Sequence, residues 1–259
     1  MPESKGWLAE RILKAHDRDE LEGAIVYNRQ RVGKSSWSLQ QMFDVYGNWD
    51  DVFRYTIYTL EDLIRALRDA AKKSVPSLLV DDAGVHLSKY MHAIDQLKVM
   101  LLQGLMDTVG ISVSGIIFTC PTVNSVLKLI RDYDFYRVKI VKGRSPRWER
   151  VAIVHRKEEW MRREPGMRIA YEGFDVRLPD TQFIRYKKMR IGFLAGAMGR
   201  FKELFESSKV PRVKAMAEVI EDTVDALMTR AETIEPAGIP DDFVGAKREL
   251  SEGEALPPP

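Results

Sequence analysis

Residues 24–39, AIVYNRQRVGKSSWSL, decide how the rest of the chain is read. Four residues suited to a buried strand, Ala24 to Tyr27, run into Asn28-Arg29-Gln30-Arg31-Val32-Gly33-Lys34-Ser35, and a helix-forming run follows. Strand, loop, Gly-Lys-Ser, helix is the context that a phosphate-binding loop requires. Each part has its own physical reason. Gly33 lets the backbone approach an anion, and the N–H groups from Asn28 to Ser36, with the N-terminus of the following helix, point at it. Lys34 brings a flexible positive charge to the outer phosphates, and the Ser35 hydroxyl can hold Mg2+. One position departs from the full pattern G-x-x-x-x-G-K-S/T: Asn28 stands where the first Gly belongs. Asn tolerates left-handed backbone angles better than other non-Gly residues, so the turn can survive the exchange.

A Gly-Lys-Ser triplet also arises in ordinary polar turns, so the motif needs a second one. Ser77-Leu78-Leu79-Val80-Asp81-Asp82, bounded by Pro76 and Gly84, supplies it. The short apolar run reads as a fully buried strand that ends on two carboxylates. In a phosphate-loop enzyme the strand beside the loop ends in an acid that holds Mg2+, and a second acid can polarise the attacking water. Asp81 fits the first role and Asp82 the second. Gly115 to Thr119 (GIIFT) is the next buried strand. Thr119 at its tip, beside the acidic strand, can sense a terminal phosphate or orient water; the plain alternative is a Thr that ends a strand.

Around these motifs the chain reads as alternating elements. Trp7 to Arg18 predicts an amphipathic helix, and Ser36 to Tyr46 a second one broken at Gly47-Asn48. Val52 to Tyr58, aromatic and β-branched, predicts a strand, and Thr59 caps a helix over Leu60 to Lys73. His86 to Thr108 and Val123 to Arg131 predict further helices. Tyr136 to Lys142 and Trp148 to His155 predict a β-hairpin turning at Gly143 to Pro146, with basic residues on one face. Met167 to Leu178 reads as a strand, Asp180 to Ser207 and Pro211 to Glu232 as helices, and the Pro- and acid-rich stretch from Pro236 as a disordered tail. The expected class is α/β: a parallel sheet with helices on both faces, then a basic β-hairpin and a C-terminal helical region. The expected boundaries are 1–140, 141–232 and 233–259.

Charge is unevenly spread. Residues 137–202 hold 18 Lys/Arg against 7 Asp/Glu, whereas from Glu203 onward there are 6 against 13. The basic middle, interleaved with Tyr136, Trp148 and Trp160, fits a DNA-binding surface, although basic patches also meet acidic proteins. The single Cys120 gives no internal disulfide framework, no apolar run is long enough to span a bilayer, and MPESKGW carries no signal-peptide pattern. A cytoplasmic protein is expected.

Asn28 to Ser35, Leu78 to Asp82 and Ile116 to Thr119 together resemble the ATPase core of the AAA+-like and RecA-like branch of phosphate-loop enzymes, over about residues 20–140. The extra strand and helix between the loop and the acidic strand belong to that branch, which carries an added strand in mid-sheet. Asp81 to Gly84 is similar to the acidic motif of bacterial helicase loaders and DnaA-type initiators, most of which have Glu where this chain has Asp82. The hairpin and Leu178 to Arg190 also resemble small ATPases of archaeal viruses and plasmids. The resemblance implies ATP with Mg2+ as cofactors, a homo-oligomer with the nucleotide between subunits, and an arginine supplied in trans, for which Arg131 and Arg137 are the candidates. It implies an ATP-hydrolysing enzyme that remodels or loads onto DNA in the replication or maintenance of a mobile element, with a replication or packaging protein as partner. A virion-assembly or DNA-packaging motor is one alternative and a non-hydrolysing nucleotide-dependent adaptor another.

Overall fold

The computed structural model describes residues 5–70, 72–83, 100, 102–104, 106, 109–143, 148–156, 166–206, 223–229 and 231–233. The chain divides after Arg177, and the whole sheet lies in the first unit. The described elements of that unit are α1 (Trp7–His16), β1 (Glu22–Tyr27), α2 (Lys34–Tyr46), α3 (Trp49–Arg54), β2 (Thr56–Ile57), α4 (Leu60–Ala70), β3 (Leu78–Val80), β4 (Gly115–Cys120), α5 (Lys128–Asp132), β5 (Tyr136–Lys142), β6 (Glu149–Arg156) and β7 (Met167–Asp175). Two 3-10 turns, Val109–Ile111 and Val123–Ser125, flank β4. The fold is α/β.

The sheet has seven strands in the order β2-β3-β4-β1-β5-β6-β7. The first five run parallel, and β6 and β7 add antiparallel. The buried strands are almost continuously apolar because both faces are covered, as parallel sheets require. On one face Ile25, Leu78, Val80, Ile116, Phe118 and Cys120 share a core with Leu63 and Leu67 of α4 and Ile130 of α5. The opposite face packs on α1 and α2. Gly115 is required there, since a Cβ would sit 2.7 Å from Ile12 of α1.

Three expectations change. β3 is not the immediate neighbour of β1, because β4 lies between them. Val52 to Tyr58 is not one strand. Asn48 caps α3 by accepting the Asp51 N–H at 2.9 Å, Val52 and Phe53 are buried on that helix, and only Thr56–Ile57 pair as β2. The helix expected over Val123 to Arg131 is split into a 3-10 turn and α5. In addition the sheet runs unbroken across residue 140: β5 pairs with β1, so the first strand of the hairpin is itself a strand of the parallel sheet.

Other elements match their expected bounds closely. Thr59 Oγ1 accepts the Asp62 N–H at 3.0 Å at the head of α4, and Gly47 ends α2 in a left-handed conformation at φ 72°. The expected helix His86 to Thr108 lies almost wholly outside the described residues, as do the second C-terminal helix, except 223–229 and 231–232, and the tail from Pro236. In the second unit α6 runs Asp180–Glu206, with Lys187 over the Phe183 ring at 4.5 Å and Arg190 over Tyr186 at 5.7 Å. No described helix is long and apolar enough to cross a membrane.

Candidate functional site

The C-terminal ends of β1, β3 and β4 meet at one edge of the sheet, and the loop after β1 wraps there into α2. Arg31 (φ 59°) and Gly33 (φ 104°) are both left-handed. Such alternation turns successive backbone N–H groups into a concavity suited to an anion. Gly33 is demanded twice over. Its φ is strained for an L side chain, and a Cβ there would lie 2.7 Å from Val176 Cγ2.

Asn28 explains the departure at the first Gly position. It holds φ 148°, a region that glycine enters readily and other residues seldom do. Its side chain offsets that cost: Nδ2 donates to Ile140 O at 2.7 Å, and Oδ1 accepts the Arg29 N–H at 2.8 Å. The loop is thereby tied to β5, which a glycine could not do.

Lys34 opens α2 and is nearly buried. Its ammonium donates to Asn28 O at 2.9 Å and Arg29 O at 3.0 Å, so the charge lies across the loop itself. Arg29, Gln30 and Arg31 are exposed, and Val32 packs inward. Ser35 Oγ donates to Asp81 Oδ1 at 2.8 Å, and Thr119 Oγ1 donates to the same oxygen at 2.6 Å. Asp81 is 1% exposed, and its own N–H is held by Ile57 O at 2.9 Å. The Asp82 N–H donates to Thr119 Oγ1 at 2.8 Å, with Asp82 in a left-handed turn at φ 51°. Thus Ser35, Asp81, Asp82 and Thr119, predicted from three separate motifs, come together. At the other end of α2, Tyr46 Oη donates to Ser77 O at 2.5 Å and accepts the Ser77 N–H at 3.1 Å. Burial raises the Tyr46 pKa further above its ordinary value of 10, so the phenol keeps its proton for that bond. Helix α2 is therefore pinned to both ends of the acidic strand.

One buried carboxylate, Asp81, and one hydroxyl, Ser35, form an all-oxygen donor pair. Hard divalent cations such as Mg2+ favour oxygen ligands, few from the protein and the rest from phosphate and water. These residues fit Mg2+ on a phosphate.

Arg131 and Arg137 are not brought to this edge. Arg137 sits at the start of β5, opposite Ile25, and is fully buried. It donates to Phe135 O at 2.9 Å and Arg131 O at 2.6 Å, which ties its guanidinium to carbonyls of its own chain. Arg131 donates to Asn124 Oδ1 at 2.8 Å. The basic region is likewise less of a surface than its count implies. Arg137, Arg150 and Arg177 are engaged inside the first unit, whereas Lys139, Lys142, Arg156 and Arg168, and on α6 Arg185, Lys187, Lys188 and Arg190, are exposed.

Several residues around the loop carry no motif. Arg150 of β6 donates through Nε to Val32 O at 3.1 Å, and its Cγ would lie 3.5 Å from any Cβ added at Gly33. Trp37, fully buried on α2, donates to Glu172 of β7 at 3.0 Å. Gln40 donates to Asp175 O at 2.7 Å, and Gln41 Oε1 accepts the Leu8 and Ala9 N–H groups at 3.1 and 3.0 Å. The strand alternation Trp148-Glu149-Arg150 is the one sequence signal that could have put Arg150 on the loop side.

No family model matches the chain. It is 26% identical over 152 residues to the uncharacterized protein B-251 of Sulfolobus spindle-shape virus 1, covering 54% of this chain and 59% of that protein. It is 28% identical over 141 residues to the uncharacterized protein ORF286 of Acidianus two-tailed virus, covering 52% and 49%. The chain spans about half the length of these curated relatives, and both are similar to it as virus proteins of no stated activity.

Proposed function

We propose that this chain is a phosphate-loop ATPase that uses Mg2+ and works on DNA as an oligomer in a mobile genetic element. The observation that carries the reading is the 2.8 Å hydrogen bond from Ser35 to Asp81, which joins the loop helix to the acidic strand across the intervening β4. An added strand between the loop strand and the acidic strand is the arrangement of the branch that the motifs resemble. Mg2+, when bound, would offset phosphate charge as a Lewis acid. The residues of this chain do the rest. The loop N–H groups and Lys34 grip phosphates, Ser35 and Asp81 hold the cation, Thr119 fixes the Asp81–Asp82 turn, and Asp82 accepts a proton from water. The exposed Lys and Arg of β5–β7 and α6 support a polyanion partner, and the viral relatives support the mobile-element setting.

The test is ATP turnover by the wild-type chain and Lys34→Ala, each with and without duplex DNA, alongside thermal unfolding. Wild type turns over ATP, faster with DNA, and Lys34→Ala neither binds nor hydrolyses it while remaining folded. Equal hydrolysis by the two proteins overturns the enzyme reading. Binding without turnover in wild type selects a nucleotide-dependent adaptor.

A further inference from the structure

The order of the sheet gives the loop two unlike sides. β4 and β3, with Thr119, Asp81 and Asp82, lie on one side of β1, and β5, β6 and β7 lie on the other. Because β6 is antiparallel to β5, and β7 to β6, the start of β6 and the end of β7 come to the same edge as the loop. Trp148 immediately precedes β6, and Val176-Arg177 follow β7.

These three residues form one local structure, which Val176 joins to the loop. Val176 N–H donates to Trp148 O at 3.0 Å. Val176 Cγ2 is the atom that would block a side chain at Gly33. The Arg177 guanidinium lies 5.6 Å from the Trp148 ring centroid and is held by Asp175, which accepts from its Nε at 2.9 Å. Trp148 nevertheless remains 38% exposed. An ordinary surface indole packed by an arginine would look similar in isolation. Here the pair adjoins Val176, which walls Gly33, on the side of β1 away from Asp81 and Asp82.

We propose that this edge is the base subsite of the nucleotide whose phosphates the loop holds, with Trp148 and Arg177 as the stacking platform and Val176 as its floor. The proposal rests on the phosphate-loop reading. A cation held by Ser35 and Asp81 draws the terminal phosphate toward β3 and β4, so the nucleoside leaves the loop on the β6–β7 side. Indole and guanidinium both offer flat faces to a base, and such stacking is tolerant of base identity.

Calorimetric titration of the full chain with Mg-ATP and with Mg-tripolyphosphate, which has no base, tests it. Trp148→Ala should weaken Mg-ATP by about 5- to 150-fold, the range that loss of one stacked base implies. Mg-tripolyphosphate affinity should not change, which also reports that the variant is folded. Trp148→Phe keeps a stacking face and should retain most of the Mg-ATP affinity. If Trp148→Ala leaves the ratio of the two affinities as in wild type, the subsite is wrong while the loop reading stands. If wild type binds neither compound, the loop reading fails and the subsite with it.

Discussion

Replacing Thr119 by valine keeps the shape of a side chain that is 0% exposed and removes one oxygen. That oxygen donates to Asp81 Oδ1 at 2.6 Å and accepts the Asp82 N–H at 2.8 Å. The first bond has a charged acceptor, for which the net contribution is about 1.5–3 kcal/mol, and stranding a part-buried amide costs about 1 kcal/mol more. The expected loss is about 3 kcal/mol, a large share of the roughly 5–15 kcal/mol that a domain possesses. Urea unfolding reads it directly: with a slope of about 2 kcal/mol/M the midpoint falls by about 1.5 M, and the slope itself stays the same. Thr119→Ser keeps the hydroxyl and loses only a buried methyl, so it should cost about 1 kcal/mol. If valine costs no more than serine, the hydroxyl is not what joins β3 to β4 at this edge, and its part in ordering Asp81 and Asp82 is refuted.

Two further outcomes follow from the surroundings of the two ends of β6. Arg150→Met keeps the aliphatic stem against Gly33 but removes the bond to Val32 O, so Mg-ATP affinity should fall several-fold with a stability loss of about 1 kcal/mol; the exposed-site control Lys139→Met should do neither, and equal affinities in the two variants would sink the brace. His155, 9% exposed, has its pKa lowered from 6.5, first by burial and then by Lys139 and Arg168, against the raising effect of its bond to Arg137 O. The native state therefore binds a proton less readily than the unfolded chain, and stability is lost as pH falls below 6.5 toward the lowered native value. His155→Gln should flatten that decline in urea midpoints taken across about pH 5–8, and an unchanged slope would show that His155 does not cause it.

The parts of the fold that were legible in the sequence are those in which burial is total and local. Ala24 to Val26, Leu78 to Val80 and Ile116 to Phe118 are strands covered on both faces, so their apolar runs need no partner to be recognised. Gly33 and Gly47 were legible for a backbone reason, since both hold left-handed angles. Val52 to Tyr58 failed because its composition suits a strand while Asn48, four residues upstream, starts a helix with its side chain. β propensity measures fit to a half-buried surface, and Val52 and Phe53 find that burial on α3 instead. The gathering of Ser35, Asp81 and Thr119 was legible because each lies within one residue of an element's end. The rest of the site was not. Whether an arginine in a basic stretch is solvated, like Arg168, or spent on a carbonyl, like Arg150 and Arg137, depends on strands far away in sequence, and no charge count distinguishes the cases.

The same long-range contacts alter what the antiparallel strands are for. Read as a basic appendage beginning after residue 140, β6 and β7 would owe nothing to the loop after β1. In the fold they hold it. Asn28 is tied to Ile140, Val32 to Arg150, Gly33 is walled by Val176, and the helix that follows is bound through Trp37 and Gln40 to Glu172 and Asp175. On the opposite side Asp81 and Ser77 hold the two ends of that helix. A loop with a non-glycine residue at φ 148° needs such support, because the strained conformation persists only where its surroundings over-determine it. The departure at Asn28 and the extra strands are thus one arrangement. The asparagine side chain reaches β5 in a way glycine cannot, and the strands beyond β5 supply the second wall against which the loop is held.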